Sequence, residues 1–298
     1  MSGRQVDTST ICSCPATTQL RLAKRRVTPT KKSRQKQKQQ TLSTLIELET
    51  GLHARGYRYV IGSDDSGGAG CIAGPVVVAS CCLLKPFSSF LQIPTQTSST
   101  EPVVSPSQLE LLSKVNDCKE LTPEQRREIY DIVNSYPDIF AISIAQRSPK
   151  QIDEINLTRA TQEAFAESIE SLVETHNLPF EEVYAIVDGK ISPKLYASQR
   201  QKPTDSQEEV SDPQPETPKL FSVRPYVNGD AHVYTVALAS IIARVARDSE
   251  MQDLHEQHPQ YGFADHNGYA RKDHIEAIHR LGSLEGVHRM SFKQVKGR

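Results

Sequence analysis

Four aspartates stand where apolar runs end or a helix begins, and together their side chains could hold hard divalent cations. Asp64 and Asp65 close the run beginning at Tyr59, Asp188 closes Val183–Val187, and Asp230 immediately precedes a long helical pattern. Adjacent carboxylates repel, so a fold that holds them together usually supplies a cation. Oxygen ligands suit Mg²⁺ or Mn²⁺, which retain waters for phosphate substrates. Two such ions about 4 Å apart activate water and stabilise the leaving oxygen in phosphodiester hydrolysis. Plainer roles also fit these residues. Asp64-Asp65-Ser66-Gly67-Gly68 and Asp188-Gly189 are ordinary turn sequences, and Asp230 could cap its helix. Strand side chains alternate between faces, so Asp64 and Asp65 point the same way only if the chain turns there, which Gly67 and Gly68 permit.

Strands and helices must bring these acids together. Arg58–Asp64, Pro75–Leu84, Asp138–Arg147 and Val183–Val187 read as strands. Thr122-Pro-Glu-Gln125 opens a helix through about Tyr136, with a threonine cap, proline at the first helical position and glutamine closing a capping box. Helical periodicity also runs over Asn156–His176, Ala231–His255 and Lys272–Leu281. This order predicts an α/β or α+β domain with a central mixed β-sheet flanked by helices. Residues 86–106 and 199–219 read as flexible insertions, the second acidic, proline-containing and poor in apolar residues.

The formal net charge of −1 over 298 residues conceals an asymmetry. Residues 1–40 carry ten Lys/Arg and one acid, Asp7, whereas the rest is acidic. We read residues 1–50 as a disordered basic arm. Its early part resembles an organelle transit segment, and KKSRQKQK a nuclear address or a nucleic-acid contact. No run approaches the ~18 apolar residues of a membrane span, so an intracellular chain without membrane association is expected. Nucleus, cytoplasm and organelle stay open. The six cysteines form neither a zinc-type pattern nor a dense disulfide framework, and Cys81-Cys82 reads as strand packing. Cys12-x-Cys14 lacks a companion pair for a metal.

Several stretches resemble, in order, the motifs of type 2 ribonucleases H, the ribonuclease HII family. Asp64-Asp65-Ser66-Gly67 through Gly74-Pro75-Val76-Val77 resembles its opening motif, Gly-hydrophobic-Asp-Glu-x-Gly-Arg-Gly followed by Gly-Pro-Val-Val. Asn116-Asp117-Cys118-Lys119-Glu120-Leu121 is similar to Asn-Asp-Ser-Lys-Lys-Leu, and Ile152-Asp153-Glu154-Ile155-Asn156-Leu157 to the next element. Val187-Asp188-Gly189, Gly229-Asp230 with Ala239–Asp248, Tyr261-Gly262-Phe263 with His266–Tyr269, and His288-Arg289-x-Ser291-Phe292 complete the series. The resemblance covers about residues 57–296. It implies a ribonuclease H-like fold and a metal-dependent endonuclease that cleaves the RNA strand of RNA/DNA hybrids. Lone ribonucleotides in DNA would also be cut, leaving 5'-phosphate and 3'-hydroxyl ends.

The resemblance further implies that Asp64, Asp65, Asp188 and Asp230 hold two divalent ions, Mg²⁺ or Mn²⁺, and form the catalytic set. Gly67, Gly68 and Gly70 would approach the substrate, and Tyr269 would stack on a sugar. Lys119, Arg244 and Arg247 would meet phosphates, although each also suits a surface charge, and Arg247 could pair with Asp248. The expected partner is nucleic acid, handled by a monomer.

Three departures stand out. Asp65 replaces glutamate, shortening its reach by roughly 1.5 Å. Gly67-Gly68-Ala69-Gly70 lacks the motif's arginine and carries one extra residue against it. Glu120 and Asn228 replace lysines. Besides an active enzyme, the sequence therefore leaves open a catalytically impaired hybrid-binding paralogue, or an interaction protein acting through its basic arm.

Overall fold

The computed structural model describes residues 42–87, 104–115, 121–191, 193 and 222–296. Its five strands are β1 (Tyr59–Ser66), β2 (Val76–Leu83), β3 (Phe140–Arg147), β4 (Val183–Asp188) and β5 (Ser222–Tyr226). They form one mixed sheet in the order β3-β2-β1-β4-β5. β1 pairs antiparallel with β2 and parallel with β4, so the ends of β1 and β4 that carry Asp64, Asp65 and Asp188 lie side by side.

The helices are α1 (Leu42–Leu45), α2 (Glu47–Ala54), α3 (Pro106–Ser113), α4 (Pro123–Ser135), α5 (Pro149–Ile155), α6 (Leu157–Thr175), α7 (Tyr234–Gln257), α8 (Phe263–His266) and α9 (Lys272–Leu281). α3, α4 and α5 each begin with a complete capping box and a proline, on Ser105/Gln108, Thr122/Gln125 and Ser148/Gln151. Each box satisfies N–H groups that a helix start would otherwise leave unpaired.

Every position of β2 is buried, because helices cover both faces of the sheet. α7 packs on one face, where Leu238 and Ile241 join Ala79, Cys81 and the α3–α4 residues Leu112 and Ile129. On the other, Phe165, Ile169 and Leu172 of α6 meet Ile61, Val78 and Cys82. Burying each such side chain stabilises the fold by about 1.5–3 kcal/mol. Cys81 and Cys82 thus face opposite cores as packing residues. Gly62 lets α7 start directly against β1: a Cβ there would collide with the backbone of Thr235 and Val236.

Several expectations need correction. Residues 42–50, placed within the disordered arm, are largely helical, and Leu45 and Glu49 are each 1% exposed. Hydrophobic packing of α1 and α2 draws them into the compact unit that spans 40–298. Residues 1–41 lie outside the described residues, as do 88–103 and the whole of 199–219. At the far edge of the first insertion, Val104 is fully buried and Ser105 caps α3. α7 begins at Tyr234, since Gly229–Ala231 form a separate 3-10 turn. β5 was not anticipated: it is a short edge strand containing Pro225, with little apolar alternation to announce it. Among the described residues no helix is long and apolar enough to cross a membrane.

Candidate active site

A cleft of about 480 Å³ lies at the ends of β1 and β4 and is lined by Asp64, Asp65, Asp188 and Asp230. Gly67, Gly68, Ala69, Arg126, Ser240, Arg244 and Tyr269 complete most of its wall. The four acids come from three distant parts of the chain. β1 runs on through Ser66, with Asp64 opposite Ala79 and Asp65 opposite Val78, so no turn separates the pair. Both carboxylates nevertheless line the cleft.

Each acid has its own supports. Asp64 is 7% exposed, and its Oδ1 accepts the Asp65 N–H at 2.7 Å. The Ser240 hydroxyl of α7 also hydrogen-bonds to it. Asp188 ends β4, and its Oδ1 accepts the Gly229 N–H at 2.6 Å, which ties the 3-10 turn bearing Asp230 to the sheet. Asp230 does not cap α7: the cap position is Val233, which makes no side-chain cap bond.

Burial holds the Asp64 and Asp65 carboxyls toward their neutral form. It raises Asp64 well above the usual carboxylate range, and the charges of Asp188 and Asp65 push the same way. Asp65 is raised to about 6 by burial and by Asp188, against the opposing charge of Arg289. A divalent cation would relieve this mutual repulsion, so the donor set fits Mg²⁺ or Mn²⁺. Among the described residues no three His, Cys, Asp or Glu side chains converge into a ready-made cage. An open set of this kind suits ions that complete their shells with water and substrate oxygens.

The structure separates the other candidates. Gly67 and Gly68 line the cleft, while Gly70 lies beside Tyr269, whose Cδ1 would be 3.7 Å from a Cβ added to it. Gly67 has φ 89°, and a Cβ there would strike the Arg247 side chain and the Pro75 carbonyl. Tyr269 is 37% exposed at the cleft wall. Arg244 hydrogen-bonds to Tyr269 and pairs with Asp248 at 3.1 Å. Burial opposes the Arg244 charge, but these partners hold its pKa above the ordinary value.

Arg247 is not placed for a phosphate. It is 1% exposed, and its donors end on the carbonyls of Pro75, Asn267 and Ala73 at 2.9–3.2 Å. Nor does it take up the plainer alternative of pairing with Asp248, which Arg244 engages. Lys119 lies outside the described residues.

Arg126 and Ser240 were missed as cleft residues. Arg126 follows a capping box four residues earlier, so its place one turn into α4 could have been read from the sequence. Ser240 lies six positions into α7 with no local signal that it faces an aspartate on β1. Arg289, in the last motif, was given no role. It is fully buried behind the glycine turn.

The family model described as Ribonuclease HII matches residues 102–295. Ribonuclease HII of Fusobacterium nucleatum is 32% identical over 236 residues, 79% of this chain and 86% of its own length. That of Bacillus cereus is 31% identical over 262 residues, 88% of this chain and 79% of its own. The second match leaves only 36 of the 298 residues outside it, so it spans the Asp64–Pro75 stretch that the family model leaves out. Among solved structures, ribonuclease H2 from Pyrococcus horikoshii aligns with a TM-score of 0.54 at 21% identity, over 80% of this chain and 95% of that one. Bst-RNase HIII in complex with Mn²⁺ aligns with a TM-score of 0.53 at 19% identity, over 82% and 70%. These two likenesses show the ribonuclease H-like fold, and the sequence matches show descent: the chain belongs to the ribonuclease HII family.

Proposed function

We propose that this protein is a metal-dependent endonuclease that hydrolyses the RNA strand of RNA/DNA hybrids and cuts at single ribonucleotides in DNA. Products would carry 5'-phosphate and 3'-hydroxyl ends. The observation that carries this reading is the gathering of Asp64, Asp65, Asp188 and Asp230 in one cleft beside Gly67, Gly68 and Tyr269.

Two bound Mg²⁺ or Mn²⁺ ions would supply Lewis acidity to the attacking water and to the leaving 3'-oxygen. The chain's own residues hold and aim that chemistry. Asp64, Asp65, Asp188 and Asp230 would be the ligands. The Ser240 hydroxyl and the Asp65 amide fix the orientation of Asp64, and the Gly229 amide fixes Asp188. Arg244 and Arg126 bring positive charge to a wall otherwise dominated by carboxylates, where substrate phosphates must pass. Tyr269, half-exposed and anchored by Arg244, offers a flat apolar face to a sugar.

The test uses purified protein with Asp64→Asn and Asp188→Asn controls, in Mg²⁺ and separately in Mn²⁺. Cleavage of a hybrid and of a one-ribonucleotide duplex, but not of all-DNA duplex, is expected, and both variants should lose it. Binding of the hybrid without cleavage would instead favour the impaired paralogue, whose motivation is Asp65 and the arginine missing beside Ala69.

A further inference from the structure

Arg289 is fully buried and sits behind the glycine turn. Its guanidinium donates to the carbonyls of Gly67, Gly68, Cys71, Gly74 and Pro75, with the last four contacts at 3.0–3.2 Å. A buried guanidinium usually needs a carboxylate. Here backbone carbonyls of one loop converge on it instead, and the fork of donors fixes several peptide planes at once.

In a trans peptide the C=O and the following N–H point in opposite directions. With the Gly67 and Gly68 carbonyls turned inward to Arg289, the amides of Gly68 and Ala69 point outward. Both residues line the cleft. Among the described residues, no backbone carbonyl accepts from either amide, whereas Ile72, Ala73 and Gly74 N–H are all paired. Gly68 also adjoins the acid set, since a Cβ there would lie 2.7 Å from Asp65 Oδ2.

The resemblance to ribonuclease HII implies that the backbone of the glycine turn reads the ribose 2'-hydroxyl. We propose that Arg289 is a positioning residue for substrate selection: it holds that turn from behind so that the Gly68 and Ala69 amides are aimed at this hydroxyl. This deepens the hydrolase reading and rests on it. It also gives the loop a support that does not depend on an arginine within the turn. Asp153 secures the device from outside, its carboxylate accepting the Met290 N–H at 2.7 Å and the Ser291 N–H at 2.8 Å. The Phe292 ring lies 5.5 Å from the guanidinium carbon.

The experiment measures Kd by fluorescence anisotropy, in Ca²⁺, for a duplex with one embedded ribonucleotide and for the same duplex in all-DNA form. Wild type should prefer the ribonucleotide. In Arg289→Lys that preference should fall about tenfold, one lost hydrogen-bond set, with the all-DNA Kd within twofold of wild type. Asp153→Asn should shift it the same way but less, and it decides the matter if Arg289→Lys fails to give a cooperative thermal melt. A wild type without binding preference overturns the inference, as does a folded variant that keeps the full preference or weakens both duplexes equally. Because binding is the readout, loss of cleavage in wild type would defeat the hydrolase reading alone.

Discussion

Two groups of buried acids meet the same long helix, and they resolve their burial differently. At the start of α7, Glu49 of α2 is 1% exposed and accepts the Thr235 N–H at 2.8 Å and the Thr235 hydroxyl at 3.0 Å. Val233 caps nothing with its side chain, so Glu49 serves as a cap delivered from 186 residues away. Burial raises Glu49 to about 7, against these hydrogen bonds. Further along α7, Asp64 is also buried and hydrogen-bonded to Ser240, but Asp65 and Asp188 add like charge. Donors from the fold answer the first acid. Those acting on the second leave a repulsion that a bound cation would relieve, and the surrounding space is a cleft. A carboxylate satisfied from within is structural; a group left in mutual repulsion at an opening is poised for a ligand.

Substitution should separate the two groups most sharply. Asp64→Asn should cut hybrid cleavage about a thousandfold or more, some 4 kcal/mol of transition-state stabilisation. It should also raise the metal-free Tm by about 3 °C by removing a buried, repelled charge. Glu49→Ala should do the reverse, lowering stability by about 2–3 kcal/mol in denaturant unfolding by orphaning the donors of α7. Its kcat should stay within a few-fold of wild type. A Glu49→Ala enzyme as inactive as Asp64→Asn would erase the distinction.

Titration sharpens the comparison. The folded pKa of Glu49, about 7, lies above its ordinary 4.5, so the neutral form is the one the fold prefers. Its stabilising contribution is complete below pH 4.5 and is lost as pH rises through 7. Each tenfold change in proton affinity is worth about 1.4 kcal/mol, which makes this contribution on the order of 3 kcal/mol. Buried His274 and His288 act in the opposite sense. Burial lowers each to about 4, so their contribution is present above pH 6.5 and is lost as pH falls through 4. In wild type the two trends oppose each other between pH 4.5 and 6.5. Asp64 and Asp65, also raised by burial, add to the decline of stability as pH rises. Glu49→Gln should therefore make that decline toward pH 7 shallower without abolishing it, and expose more of the acid-side fall set by the histidines. An unchanged profile in urea unfolding across pH 4 to 8 would rule out Glu49 as the titrating group.

The smallest effect expected is that of Ser240→Ala. Losing one hydrogen bond to Asp64 should raise the Mg²⁺ concentration for half-maximal cleavage about tenfold, with the Tm nearly unchanged. Glu49 has no comparable dependence on metal.

Much of the sheet was legible because strands covered on both faces read as dense apolar runs, as in Val76–Leu83. Helix starts were legible through capping chemistry. The Thr122 box was read, while the equivalent boxes at Ser105 and Ser148 carried the same Ser/Thr-Pro-x-Gln signal and were overlooked. β5 gave little signal because an exposed edge strand needs no apolar period. The acids of the cleft could be singled out one by one from their places at element ends, and the family motifs gathered them into a set. Arg247 shows where that reasoning stops. Its motif position suggested a phosphate, yet the carbonyls of Ala73, Pro75 and Asn267 enclose it.

By itself, then, the sequence determined the order of strands β1 to β4 along the chain, the capping boxes of α3, α4 and α5, the four aspartates and the family. These rest on local propensity and on motif order, which need no knowledge of distant contacts. Tertiary structure alone decided that Glu49 caps α7, that Ser240 meets Asp64, and that Arg289 gathers the carbonyls of the glycine turn. Each joins residues far apart in the chain. A buried charge finds its partner through packing, and the packing here is set by the sheet and the two helices that cover it.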